Sequence, residues 1–246
     1  MSISNFQTNI ICQDALKYLE KQPKHSIPNM ITGIPDMEET GLNYQKYYDF
    51  FIKAVKLCLT RTHKQGYTIF MNTDRKFMKN WIDKSFWIQK AADELPPSDR
   101  PHLKWHKILL LRPANSTHIQ RPTYQHYLCF SYEKGPGEAT PDVMLCGKKN
   151  YKNAACSHGT IHALNFIKKY SFDSKSVADP FVGRGTILLQ AKLLGFNNLL
   201  GIDLDPEQCK ITKKALQIPN STKPPSKSQI SKSSKSTKSK TSKSKK

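Results

Sequence analysis

Ala178-Asp179-Pro180-Phe181-Val182-Gly183-Arg184-Gly185-Thr186 is the stretch whose reading decides the fold of this 246-residue chain. An apolar run ending at Val177-Ala178 precedes it, and an apolar-periodic segment, Ile187 to Leu194, follows. Strand, glycine-rich turn and helix, in that order, build a pocket of nucleotide type. Two glycines let the backbone approach a ligand closely, and the helix start offers unpaired N–H groups to an anionic end. A second strand, Asn198-Leu199-Leu200-Gly201-Ile202-Asp203, ends in a carboxylate placed to accept both hydroxyls of a ribose. A dinucleotide site of the Rossmann type fits less well, because Leu188 stands where its third glycine belongs.

Working outward, Asn9-Ile10-Ile11-Cys12 reads as a short strand, followed by Gln13-Asp14 and a helix from Ala15 to Lys21. Met30 to Ile34 is a further apolar strand that runs into Pro35-Asp36. The spacing of Tyr48, Phe51, Ile52, Val55 and Leu59 predicts an amphipathic helix over 44–61. Gly66 to Asn72 reads as a buried strand, and Lys76 to about Ala92 as a helix. His106–Leu111 and Tyr124–Tyr132 read as an antiparallel edge pair; residues 133–156 read as irregular. Helices are expected from His158 to Tyr170 and from Pro206 to Gln217. Strands alternating with helices indicate an α/β three-layer sandwich around a mostly parallel, seven-stranded sheet.

Residues 1–218 are therefore expected to form one domain, and 219–246 a disordered Lys/Ser-rich basic tail. From Ser221 onward the tail holds nine lysines and no acid. The formal net charge is +20, so +11 remains on the body once those lysines are set aside. An excess of cations on the body points to a polyanionic partner. The tail alone is less specific, since such tails serve nucleic acids, import receptors and acidic membranes alike. The six cysteines show no C-x-x-C pair, and no long apolar run or signal-peptide core is present. An intracellular protein without membrane attachment is expected, the tail favouring the nucleus over the cytoplasm. Cys146, Cys156, His158 and His162 lie close together, but their spacing matches no familiar zinc site, and no metal is assigned.

DPFVGRGT resembles the cofactor motif of class I S-adenosylmethionine-dependent methyltransferases, in the permuted arrangement typified by the DNA N4-cytosine and N6-adenine methylases. The segment from Asn9 to Ile34 is similar to that family's strand, Asp-Ala, helix and catalytic strand; its position ahead of the cofactor motif marks the permutation. The resemblance covers about residues 5–72 and 155–217. It implies that Asp179 faces the methionine amino group of S-adenosylmethionine, with Phe181, Gly183, Gly185 and Thr186 shaping the turn. It further implies that Asp203 accepts the ribose hydroxyls, that Leu204 lies against the adenine, and that Asp14, beside Ala15, accepts the adenine amino group. His158 and Thr160 fall near the expected place of the methionine carboxylate. Taken alone, Asp14 and Thr160 could equally be helix-start residues.

The departure lies at the catalytic motif, [D/N/S]-P-P-[Y/F/W] in the amino-methylases. There a polar side chain and a proline carbonyl accept the hydrogens of an exocyclic amine while an aromatic ring stacks on the extruded base. Here the corresponding residues are Gly33-Ile34-Pro35-Asp36. Three readings follow. Asp36 takes the single proton of a ring N–H or hydroxyl; or the Gly33 and Ile34 carbonyls still serve an amine, helped by Tyr44 or Tyr47; or the chain is an inactive nucleic-acid-binding subunit. Gly33, Pro35 and Asp36 are the catalytic candidates.

Lys104, Arg112, His118 and Arg121, interleaved with Trp105, His106, Tyr124 and His126, read as a nucleic-acid surface. With no separate sequence-reading module, RNA or a nucleic-acid–protein complex is favoured over a long specific DNA site. A partner protein subunit is a further expectation, since small permuted methylases often need one.

Overall fold

A computed structural model of the chain describes residues 8–133, 140–146 and 157–217. Cys156 and the tail from residue 219 onward lie outside the described residues. The strands are β1 Asn9–Cys12, β2 Met30–Thr32, β3 Thr68–Asn72, β4 Arg75–Phe77, β5 Asn80–Ile82, β6 His102–Leu110, β7 Tyr124–Ser131, β8 Val143–Leu145, β9 Ser176–Asp179 and β10 Asn198–Asp203. The helices are α1 Ala15–Lys21, α2 Met37–Thr40, α3 Tyr44–Arg61, α4 Lys84–Asp93, α5 Ser157–Tyr170, α6 Thr186–Leu193 and α7 Pro206–Gln217.

One eight-stranded sheet runs in the order β1-β10-β9-β2-β3-β7-β6-β8. Among the described residues only β7 runs against the rest. Alternate residues of the central strands feed two cores. Met30, Phe70, Leu128, Ala178 and Leu200 pack with α1, α3 and α4, while Ile31, Ile69, Cys129, Val177 and Leu199 pack with α5, α6 and α7. Both faces are covered, which is why these strands read as continuous apolar runs rather than as alternating ones.

From β9 the chain steps outward through α6 to β10; from β2 it steps the other way through α3 to β3. The two strands diverge after pairing Met30 with Ala178. That divergence is a topological switch point, and the crevice it opens lies at the carboxyl ends of β9 and β2.

The sheet is α/β, three-layered and mostly parallel as expected, with one strand more than the seven expected. The extra strand, β8, lies beyond β6, so the β6–β7 pair is antiparallel but is not the edge. The helix expected from Lys76 begins only at Lys84; β4 and β5 form a hairpin in its place. Their two-residue turn puts Met78 at φ 48° and Lys79 at φ 66°, a left-handed geometry that glycine or asparagine would normally signal.

Candidate active site

β9 delivers Asp179 to the crevice, and the turn after it is shaped by its glycines. Gly183 has φ 51° and Gly185 has φ 75°, where side-chain-bearing residues are strained. A Cβ on Gly185 would stand 2.6 Å from Cγ2 of Thr212, whereas one on Gly183 would meet nothing within 4 Å. The turn is thus braced on α7 and open on the other side. Asp203 Oδ2 accepts from the Gly183 N–H at 2.8 Å, and the Thr212 hydroxyl donates to the Gly183 carbonyl at 2.7 Å. Gly185 heads α6, whose first residue, Thr186, is buried.

Asp179 is only 1% exposed. Its Oδ1 accepts from the Thr32 hydroxyl at 2.7 Å and from the Phe181 N–H at 3.2 Å. Burial pushes its carboxyl up to about 7; the two hydrogen bonds oppose that rise and nearby Asp203 adds to it. Phe181 is half-buried against Phe50, ring centroids 6.0 Å apart.

Asp14 follows β1, which pairs with β10, and the Gln13 N–H donates to the Asp203 carbonyl at 2.9 Å. Asp14 therefore sits one strand away from Asp203. Its Oδ1 accepts from the Leu16 N–H at 2.8 Å and the Lys17 N–H at 3.2 Å, capping α1. Ala15 beside it is buried, and Leu204 is exposed. His158 and Thr160 lie in the first turn of α5, which reaches the same sheet edge from the β7–β8 side. His158 Nδ1 contacts the Leu145 carbonyl at 3.2 Å. Thr160 is fully buried, and its hydroxyl has no hydrogen-bond partner among the described residues. A buried hydroxyl is seldom left that way without a ligand or water to meet it.

Across the crevice, Gly33, Ile34 and Pro35 lead from β2 to Asp36, which heads α2 and receives the Glu39 carboxylate on its own N–H at 2.7 Å. The Ile34 carbonyl accepts from Asn72 Nδ2 at 3.0 Å, and the Pro35 carbonyl accepts from the Tyr47 hydroxyl at 3.0 Å. Tyr47 is buried, which raises its phenol far above the ordinary value, with Asp36, Glu39 and Glu38 adding to the rise. Asp36 holds two cations: Oδ1 meets the buried Lys84 ammonium, and Oδ2 lies 2.8 Å from Arg121. Arg75 pairs with Glu38 alongside. Tyr44 is exposed and stacks on Phe77 with ring centroids 5.9 Å apart, presenting an aromatic pair near this loop.

Arg121 thus reaches the catalytic candidates. Arg112 and His118 lie in the same β6–β7 connection, and His118 Nδ1 accepts the Arg121 N–H at 3.2 Å. Lys104 is elsewhere: near the start of β6, at the end of the strands away from the crevice, it donates to the Glu133 carbonyl at 3.0 Å. Sequence reasoning missed Thr32, Asn72 and Lys84. No spacing rule points to them, since each meets its partner only across the folded sheet.

Residues 161–214 match the family model described as DNA methylase. Among solved structures, the chain is similar to a putative DNA modification methylase from Thermus thermophilus, at 16% identity and TM-score 0.65, covering 87% of this chain and 96% of that one. It is also similar to the cytosine-N4-specific PvuII DNA methyltransferase, at 13% identity and TM-score 0.66, covering 90% of each chain. A third likeness is to the M1.HpyAVI–SAM complex, at 17% identity and TM-score 0.54, covering 86% of this chain and 100% of that one. No curated protein matches in sequence. The fold is that of the class I methyltransferases, and the chain is similar to the DNA methylases among them.

Proposed function

We propose that the protein is an S-adenosylmethionine-dependent methyltransferase acting on a nucleic-acid base. The observation that carries this is Asp179 at the switch point, buried beside a glycine turn that Asp203 and Thr212 hold open on one side. The residues fit the cofactor chemically. A buried carboxylate suits its ammonium, the Asp203 and Asp14 strand ends suit its ribose and adenine, and the Gly183 face leaves room for close approach. Thr160, whose buried hydroxyl has no partner among the described residues, suits its carboxylate. When bound, that cofactor supplies an electrophilic methyl group.

On the target side, Asp36 is the acceptor for the proton that must leave, and its two oxygens are fixed by Lys84 and Arg121. Engagement of the Ile34 carbonyl by Asn72 favours a target that gives up one proton over one whose two amine hydrogens need separate acceptors. Tyr44 on Phe77 offers the ring against which an extruded base stacks. Arg112, His118 and Arg121, with the lysine-rich tail, supply the phosphate contacts. The same tail would serve as a nuclear address, and a partner subunit would add target specificity.

A second reading, an inactive nucleic-acid-binding subunit, is favoured by one observation: both Asp36 oxygens already meet cations. Calorimetric titration with S-adenosylmethionine, followed by tritiated methyl transfer to DNA and to RNA, separates the two. Wild type should bind and transfer, and Asp179→Ala should do neither. No heat with wild type, or equal heat with the variant, overturns the cofactor assignment. Binding without transfer to either nucleic acid gives the second reading.

A further inference from the structure

Beside the target loop, Asp74, Asp83 and His126 bring one ligand atom each within 4.8 Å of one another, and nothing in the proposed chemistry uses them. They come from three separate pieces of chain: the connection after β3, the residue heading α4, and β7. The start of α4 aims both carboxylates. The Lys84 N–H holds Asp74 Oδ1 at 3.0 Å, and the Phe86 N–H holds Asp83 Oδ1 at 2.9 Å. Asp74 Oδ2 stands 3.0 Å from His126 Nε2. The other imidazole nitrogen, His126 Nδ1, is 2.8 Å from His106 Nε2. Metal-bound histidines show the same arrangement, in which the far ring nitrogen is fixed by a second group.

An ordinary ion pair does not account for this geometry. His126 needs one carboxylate and has two beside it, while neither Asp74 nor Asp83 pairs with Lys or Arg among the described residues. Two carboxylates gathered this close to each other repel, and a cation between them would relieve that repulsion. A chain this rich in lysine had cations to spare, yet Lys84 is spent on Asp36 and Arg75 on Glu38.

We infer that Asp74, Asp83 and His126 form a binding site for one divalent transition-metal ion of the zinc type, with His106 orienting the imidazole. A mixed set of one nitrogen and two oxygens suits zinc; an all-oxygen set would suit magnesium or calcium. The ion ties β7 and the end of β3 to the first turn of α4, the turn that carries Lys84 to Asp36. It is therefore a clamp for the target loop, outside the methyl-donor pocket.

The test is zinc binding to the chelator-treated full chain, read by competition with a chromophoric chelator, with magnesium as control. Wild type should take up one zinc and ignore magnesium at equal concentration. Asp83→Asn keeps an acceptor for the α4 cap and should lower zinc affinity at least tenfold, as should His126→Gln. His106→Phe should lower it about 10–100-fold. Circular dichroism of each variant shows whether it has folded, and the exposed Asp83 gives a variant whose fold does not depend on the site. No uptake by wild type, or uptake unchanged in folded Asp83→Asn, overturns the site; unchanged uptake would put the zinc on thiols or other histidines. These outcomes are independent of methyl transfer.

Discussion

Thr32 and Asp179 face each other across the switch point, the Thr32 hydroxyl donating to Asp179 Oδ1 at 2.7 Å with both residues buried. This bond joins β2 and β9 beyond the last point where their backbones pair, so it sets the width of the crevice floor. It also favours ionisation of Asp179, but burial outweighs it and leaves the carboxyl raised.

A pH dependence with opposite signs follows. The folded Asp179 carboxyl titrates near 7 rather than 3.8, so between those values the folded state holds a proton that the unfolded chain has released. Stability of the ligand-free protein falls as pH rises through that window, whereas binding of a cationic amine strengthens as the carboxylate forms. Asp179→Asn should melt about 2–4 °C above wild type at pH 8, the equivalent of about 1 kcal/mol, and gain nothing at pH 4. It should also bind no S-adenosylmethionine. Scanning calorimetry at the two pH values checks the first part, and a variant that melts below wild type at pH 8 refutes it.

Gly185→Ala combines a left-handed backbone with a collision against Thr212. Strain of about 1–2 kcal/mol from the backbone and about 1–3 kcal/mol from overpacking should together cost about 2–5 kcal/mol in urea unfolding. Adding Thr212→Ser removes the nearer methyl and should recover part of that loss. Gly183→Ala meets no atom, so only the backbone strain of about 1–2 kcal/mol should appear. Equal losses for the two glycines would contradict the bracing of the turn on α7.

Asp36 is held by one buried and one exposed cation, and these should behave differently. Lys84→Met strips the buried partner and should cost about 3 kcal/mol of stability. Arg121→Gln should cost under about 1 kcal/mol, because its side chain is 43% exposed and solvent screens the pair. The double variant Lys84→Met with Asp36→Asn should be more stable than the sum of its parts predicts, which a double-mutant cycle in urea measures.

Methyl transfer should separate Asp36 from its partners. Asp36→Asn should lower kcat at least about 100-fold with little change in S-adenosylmethionine affinity. Arg121→Gln should chiefly raise KM for nucleic acid and flatten its salt dependence. Full transfer by Asp36→Asn would remove it as the proton acceptor.

The half of the candidate site assigned to the methyl donor could be read from sequence because its residues are local. Asp179, Gly183, Gly185 and Asp203 lie on one strand–turn–helix–strand run, where strand ends and glycines announce themselves in order. The target half could not be read in this way. Lys84 meets Asp36 only because α4 packs beside α3, and Asn72 meets Ile34 only because β3 pairs with β2. The β4–β5 hairpin escaped for a different reason: Met78 and Lys79 take the turn that Asn-Gly usually marks, so nothing in the sequence set the hairpin apart from the helix that follows it. Asp14 shows the ambiguity that remains even where a residue is found, since it caps α1 whichever ligand it serves.

β1 has a single neighbour in the sheet, β10, and pairs Ile10 with Gly201, so the earliest strand waits for the last one. On the ribosome, Asn9 to Cys12 emerges long before anything exists for it to bind, and its apolar residues stay uncovered for most of translation. Closing so long a loop is slow, because its entropy must be lost before the pairing repays it. The pocket between Asp14 and Asp203 thus comes into being only at the final act of assembly. A nascent chain truncated before β10 would carry Asp36 and its partners complete but lack Asp203 and the Thr212 brace of the glycine turn, leaving an unprotected strand ready to pair with the wrong neighbour.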